Sequence, residues 1–83
     1  MNIIIYTTRF CPFCVNAKAL LDSKGLSYQE VRVDGNPELR LEMSRKAGSY
    51  TVPQVWIDDE HIGGCDELYA LERAERLDEL LAN

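Results

Sequence analysis

The chain is poor in cysteine, with three in 83 residues. An odd, small number cannot build the disulfide framework that holds many small secreted folds together. Long apolar runs are missing as well. Nothing approaches the roughly 18 to 20 unbroken apolar residues of a membrane span, and the opening MNIIIYTTRF has neither the basic region nor the long apolar core of a secretory signal. A cytoplasmic protein, without a membrane as partner, is therefore expected. Basic charge is outnumbered: nine Lys and Arg against fourteen Asp and Glu leave a net charge of -5, which argues against nucleic acid because its phosphates would be repelled. There is no linker, internal repeat or low-complexity segment. With 46% of residues hydrophobic, the chain has room for one core, so one domain is expected to carry the function.

The charge is unevenly spread. Residues 1–57 hold seven basic and five acidic side chains, whereas residues 58–83 hold two basic and nine acidic. A small anion therefore remains a possible partner of the first part.

Ile3, Ile4, Ile5 and Tyr6 lie in a short run, residues 2–7, that reads as a strand apolar on both faces. Pro12 suits the first turn of a helix whose inward stripe is Cys14, Ala17 and Leu21, with Lys18 and Asp22 outside and Gly25 at its end. Residues 27–33 alternate as a second strand, and Asp34-Gly35 is a turn. Asn36 and Pro37 read as cap and first residue of a second helix, with Leu39, Met43 and Ala47 on one face, Arg45 and Lys46 in the last turn and Gly48 as the stop. Residues 54–57 are a third strand, Asp58, Asp59 and Glu60 a hairpin turn, and His61-Ile62 the start of a short fourth strand that Gly63-Gly64 breaks. Asp66 is expected to cap a third helix carrying Leu68 and Leu71, and Leu77, Leu80 and Leu81 mark the apolar side of a last helical segment. A strand, helix, strand unit followed by a hairpin predicts a mixed sheet.

Cys11 and Cys14 sit where the first strand runs into the first helix. A thiol at a helix start meets unpaired backbone N–H groups and the positive end of the helix dipole, and both favour the thiolate. Cys11 is thus the expected nucleophile. Cys14, one turn on and on the buried stripe, is the expected resolving thiol, within disulfide reach of Cys11. A metal is the competing reading, since Cys11, Cys14, Cys65 and His61 supply four possible ligands. Pro12 stiffens the backbone between the sulfurs and no second C-x-x-C completes a metal signature, so no metal is expected.

Three spaced motifs sharpen the reading: Cys11-Pro12-Phe13-Cys14 preceded by Tyr6-Thr7, then Thr51-Val52-Pro53, then Gly63-Gly64-Cys65-Asp66. In these the sequence resembles the glutaredoxins over nearly its whole length, and the phrase IGGCDELYAL makes it most similar to the short bacterial dithiol members of the glutaredoxin 3 type. The resemblance implies an α/β, thioredoxin-like fold, with a four-stranded mixed sheet in the order 2-1-3-4 and helices on both faces, and residues 1–83 as a single glutaredoxin domain. It implies a glutathione-dependent thiol–disulfide oxidoreductase that reduces glutathione mixed disulfides and protein disulfides, with glutathione as co-substrate. Ribonucleotide reductase is a partner suggested by the family alone, and a monomer is expected.

The family pattern also implies site roles. Pro53 is expected to be cis and to lie against the active-site sulfurs, while Val52 offers its backbone N–H and C=O to the cysteine of glutathione. Cys65 and Asp66 are expected at the γ-glutamyl end and Arg40 at the glycyl carboxylate, with Pro12, Phe13, Thr51 and Gly64 completing the surface. The family usually carries Lys three residues before the first cysteine, where this chain has Thr8. Arg9 is the nearest positive charge and is expected to replace it. Cys65 is a third thiol, read either as an oxidisable group or as a quiet, partly buried one. His61, Trp56 and Met43 are read as hairpin and core residues.

Overall fold

The computed structural model describes residues 2–74. Its elements are β1 (Ile3–Thr7), α1 (Pro12–Ser23), β2 (Gln29–Arg32), α2 (Pro37–Ala47), β3 (Gln54–Ile57), β4 (Glu60–Gly63) and α3 (Cys65–Arg73). The segment carrying Leu77, Leu80 and Leu81 lies outside the described residues. Among the described residues no helix is long and apolar enough to cross a membrane.

The strands pair in the order β2-β1-β3-β4. β1 runs parallel to β2 and antiparallel to β3, and β3 runs antiparallel to β4. This is the mixed, thioredoxin-like sheet that the motifs implied. Side chains alternate across it, as strand geometry requires. Ile3 and Ile5 of β1 and Val55 and Ile57 of β3 pack with Ala17, Leu20 and Leu21 of α1 and with Cys65 and Leu68 of α3. Tyr6, Ile4 and Trp56 point the other way, toward Met43 and Leu39 of α2 and toward Val33. Helices therefore cover both faces, which is why β1 reads as apolar on both sides.

The helix signals at the start of α2 were faithful: the Leu39 backbone N–H donates to Asn36 Oδ1 at 3.2 Å and Pro37 is the first helical residue. Three boundaries differ from expectation. β2 is shorter than residues 27–33 because it is an edge strand that pairs with β1 only from Gln29 to Arg32; Tyr28 turns to the core of α1 and α3, and the Val33 N–H still donates to Thr7 O at 2.9 Å while its carbonyl accepts the Asn36 N–H of the following turn. The hairpin turn is Asp58-Asp59 alone, with φ of 49° and 69°. Two consecutive left-handed residues match the twist of a two-residue hairpin, so Glu60 already pairs with Ile57 in β4.

The third concerns α3. Its cap is Gly64 and not Asp66, which is the second helical residue. Glu67 decides this, because its carboxylate reaches back to accept the Gly64 backbone N–H at 2.7 Å. That bond ties off the first turn one residue pair earlier than an Asp66 cap would.

Candidate active site

Cys11 is the N-cap of α1, in extended backbone conformation, and its Sγ accepts the Cys14 backbone N–H at 3.1 Å. Pro12 takes the first helical position, where a missing N–H costs nothing. A sulfur there receives an amide at close range and faces the positive end of the helix dipole. Its other neighbour is the Val52 carbonyl, 3.8 Å away across the site. Cys11 is partly exposed, whereas Cys14 is 1% exposed. Burial pushes the Cys14 thiol up to about 12, and its hydrogen bond with Cys11 adds to this; the Thr8 amide and Lys18 pull the other way. The two sulfurs thus differ in kind, one at the surface and one held as a thiol. Neither is in a disulfide here.

Beside Cys11 lies a groove of about 160 Å³ lined by Phe13, Thr51, Val52, Pro53, Gly64, Cys65, Asp66 and Glu67. The Val52–Pro53 peptide bond is cis, as the family pattern implied. Across the groove, the turn from β4 into α3 comes so close that a Cβ on Gly64 would stand 3.2 Å from Pro53 O and 3.3 Å from Glu67 Oε1. Gly63 has φ of 119°, and a Cβ there would meet Glu67 at 2.8 Å. Gly64 therefore allows the wall of α3 to approach the Thr51-Val52-Pro53 loop, and Gly63 leaves room for the Glu67 side chain that ties off the helix start. Asp66 and Glu67 are exposed acids in the first turn of α3. Cys65, the first residue of that helix, is 8% exposed, and its thiol is raised first by burial and then by Asp66.

The structure gathers most of the sequence candidates but not all. Phe13, Thr51, Val52, Pro53, Gly64, Cys65 and Asp66 share the groove, and Cys11 adjoins it. Pro12, exposed at the start of α1, is not on its lining. Arg40 is not on the lining either: its guanidinium donates to Tyr50 O at 3.1 and 3.3 Å and stacks over the Tyr50 ring at 4.6 Å. It stands behind the loop that carries Thr51. Arg9 is exposed and away from the lining; its backbone amide bonds the Asp34 carboxylate, which the Arg32 guanidinium holds down to about 2.

Two supporting residues escaped the sequence reading. Glu67 was legible in principle, since a glutamate three residues after a cap is a recognised helix-start pattern. Gln54 had no such signal. It is buried, its Nε2 donates to Thr51 O and Oγ1 at 3.1 and 3.2 Å, and its Oε1 lies 2.7 Å from His61 Nε2. The amide oxygen can only accept, so His61 donates, and Gln54 braces the groove loop against the hairpin. His61 also stacks on Trp56 at 4.7 Å. Among the described residues no three His, Cys, Asp or Glu side chains gather as a metal site would need.

A thioredoxin-like sheet with a C-x-x-C at the start of its first helix and a cis-proline loop facing it defines a class of redox protein. Comparison with known proteins narrows the class. The family model described as Glutaredoxin matches residues 3–62. A glutaredoxin of Pseudomonas aeruginosa is 60% identical over 80 residues, 96% of this chain and 95% of that one. Glutaredoxin 3 of Escherichia coli strain K12 is 56% identical over 80 residues, 96% of each chain. The solution structure of a glutaredoxin from Brucella melitensis superposes with a TM-score of 0.88 at 49% identity, over 98% of this chain and 88% of that one. The crystal structure of a buckwheat glutaredoxin–glutathione complex superposes with a TM-score of 0.89 at 29% identity, over 96% and 76%. The chain belongs to the glutaredoxin family, and its role is that of a thiol–disulfide oxidoreductase.

Proposed function

We propose that the chain is a glutathione-dependent reductase of glutathione mixed disulfides and protein disulfides, working as a single domain over residues 1–83. The observation that carries this reading is the placement of Cys11 Sγ, 3.8 Å from Val52 O at the edge of the groove between the Pro53 loop and α3. A tripeptide laid along Val52 as an added strand would bring its own sulfur to Cys11. The helix start at Cys65 and the Asp66 carboxylate suit the α-carboxylate and α-amino group of its γ-glutamyl end. Arg40 and Arg9 are the cations proposed for its glycyl carboxylate. The buckwheat relative, whose structure holds glutathione, supports the same ligand here.

In the proposed reaction the Cys11 thiolate attacks the glutathione sulfur of a mixed disulfide. A Cys11–glutathione disulfide forms, and the freed substrate thiolate leaves. A second glutathione thiolate then attacks that glutathione sulfur, releasing oxidised glutathione and the Cys11 thiolate. For protein disulfides, Cys14 attacks Cys11 instead, releasing the reduced substrate and closing a Cys11–Cys14 disulfide. Ribonucleotide reductase belongs among the proposed protein substrates on family grounds, and the proposed setting is a monomer in the cytoplasm.

The test separates the two cysteines. Cys14→Ser is expected to keep deglutathionylation, measured with a small glutathione mixed disulfide and glutathione reductase, and to lose protein disulfide reduction. Cys11→Ser is expected to lose both. Equal loss of both activities in Cys14→Ser contradicts the assignment.

A further inference from the structure

We propose that Lys18, gripped by Glu30, is a positioning residue for ring closure, the step in which buried Cys14 gives up its proton and bonds to Cys11. The inference rests on the roles given above to the two cysteines. Lys18 follows Cys14 by four residues in α1, so the two stand on one face of the helix, a turn apart. Its Nζ donates to Glu30 Oε2 of β2 at 3.0 Å. The same oxygen accepts the hydroxyl of Thr7 at 2.7 Å. Thr7 is fully buried at the end of β1, and the next residue, Thr8, turns its backbone amide to the Cys14 sulfur. One strand end therefore holds both the sulfur and the carboxylate that anchors the ammonium. Lys18 and Glu30 are only 29% and 31% exposed, so their charges are screened less than those of a fully solvated pair.

The step balances without an outside oxidant. The Cys14 thiol loses its proton, the thiolate attacks Cys11 Sγ, and a Cys11–Cys14 bond forms as the bond from Cys11 to glutathione breaks. Glutathione leaves as a thiolate and takes up a proton. The difficult part is creating negative charge on a sulfur that is 1% exposed. Lys18 counters that cost, while Glu30 partly cancels Lys18. Cys11 is the other titratable group acting on Cys14, Arg32 and Tyr28 share the surroundings of Glu30, and α3, which packs on α1, carries Cys65, Asp66 and Glu67 at its start, Tyr69, whose hydroxyl donates to Asn16 O, and Glu72, which takes up Lys24. The Lys18–Glu30 pair is therefore a tuned device whose two halves act in opposite directions.

That opposition gives the test. Reduced protein is mixed with oxidised glutathione across a range of pH, acid-quenched, and read by intact mass for the Cys11 adduct and its loss on ring closure. A nitrobenzoate disulfide, which needs no glutathione groove, is run in parallel. Lys18→Met is expected to move the pH profile of closure upward by about half a unit or more. Glu30→Gln, which keeps an oxygen for Thr7 but removes the charge, is expected to move it downward, and Lys18→Arg to restore the original profile. In a Cys14→Ser background Lys18→Met is expected to leave adduct formation unchanged. Shifts of the same sign in Lys18→Met and Glu30→Gln, or no shift in either, overturn the inference. An adduct with the nitrobenzoate but none with glutathione sinks the glutathione reading alone, and the nitrobenzoate profiles then decide the role of Lys18. Wild-type protein that forms adducts and never closes the ring overturns both the Cys14 assignment and this inference.

Discussion

On one face of the sheet, α1 and α3 bury Ile3, Ile5, Ala17, Leu20, Leu21, Val55, Ile57, Cys65 and Leu68 in one cluster. On the other, among the described residues, α2 buries Met43 with Tyr6 and Val33, and the edges are half-buried Ile4, Val31, Leu39 and Trp56. A cleft of about 320 Å³ lined by Ile4, Tyr6, Lys46, Trp56 and Asp59 opens on that second face. The cysteines belong to the tighter side: Cys11 caps α1, Cys14 lies on its buried stripe and Cys65 opens α3. What the looser side adds is Arg40, stacked on Tyr50 behind the groove loop. The contrast teaches that the proposed nucleophile is placed by rigid packing, because a reacting sulfur's partners must stay within a few tenths of an ångström, whereas the proposed cation Arg40 rests on a softer support.

The sharpest way to break this contrast is a pair of cavity mutants. Leu21→Ala removes a fully buried side chain from the large cluster and is expected to cost about 3 to 5 kcal/mol. Met43→Ala, also fully buried, is expected to cost about 2 to 3 kcal/mol, because unbranched methionine sits among half-buried neighbours that can close in. Urea unfolding of both checks the order, and a reversed order ends the claim that the two faces differ.

Next in size is alkaline pH. The Cys14 thiol is raised from 9.0 to about 12 in the fold, so between those values the unfolded chain has lost a proton that the folded chain keeps. Stability conferred by this group is complete below pH 9 and declines as pH rises toward 12, by at most about 1.4 kcal/mol per pH unit. Comparing denaturation midpoints of wild type and Cys14→Ser over that window should isolate the decline, which the serine variant lacks.

Gly64→Ala tests the closeness of the groove walls. A Cβ 3.2 Å from Pro53 O forces the loop to yield, and KM for a glutathione mixed disulfide is expected to rise about tenfold with kcat less affected. An unchanged KM would mean that the wall spacing is not what binds the substrate.

The smallest effect is expected on the softer side. Arg40→Ala removes the stacking on Tyr50 and a proposed carboxylate partner, an effect of about 0.5 to 1 kcal/mol, or a KM roughly three times higher. Steady-state kinetics at low and high salt should show the difference fading as salt rises.

Much of the architecture was legible because its causes are local. The run Ile3-Ile4-Ile5-Tyr6 signals a strand covered on both faces, and Asn36-Pro37 and Gly48 bracket α2. Pro12 after Cys11 marks the helix start that puts an amide on the sulfur. The misreadings have nonlocal or competing causes. Asp66 is a good capping residue by type, yet the Glu67 carboxylate reaches Gly64 first. Residues 27–33 alternate like a longer strand, but only β1 is there to pair with them.

Sequence alone located the helix that Cys11 caps and the three motifs that meet at the groove, because hydrophobic period, proline and glycine act through the nearest few residues. Only the tertiary structure decided that Gln54 and His61 brace the Thr51 loop and that Thr7 and Glu30 hold Lys18 beside Cys14. Those bonds join residues from different strands and helices, and their strength depends on burial that no single segment possesses before the sheet and helices come together.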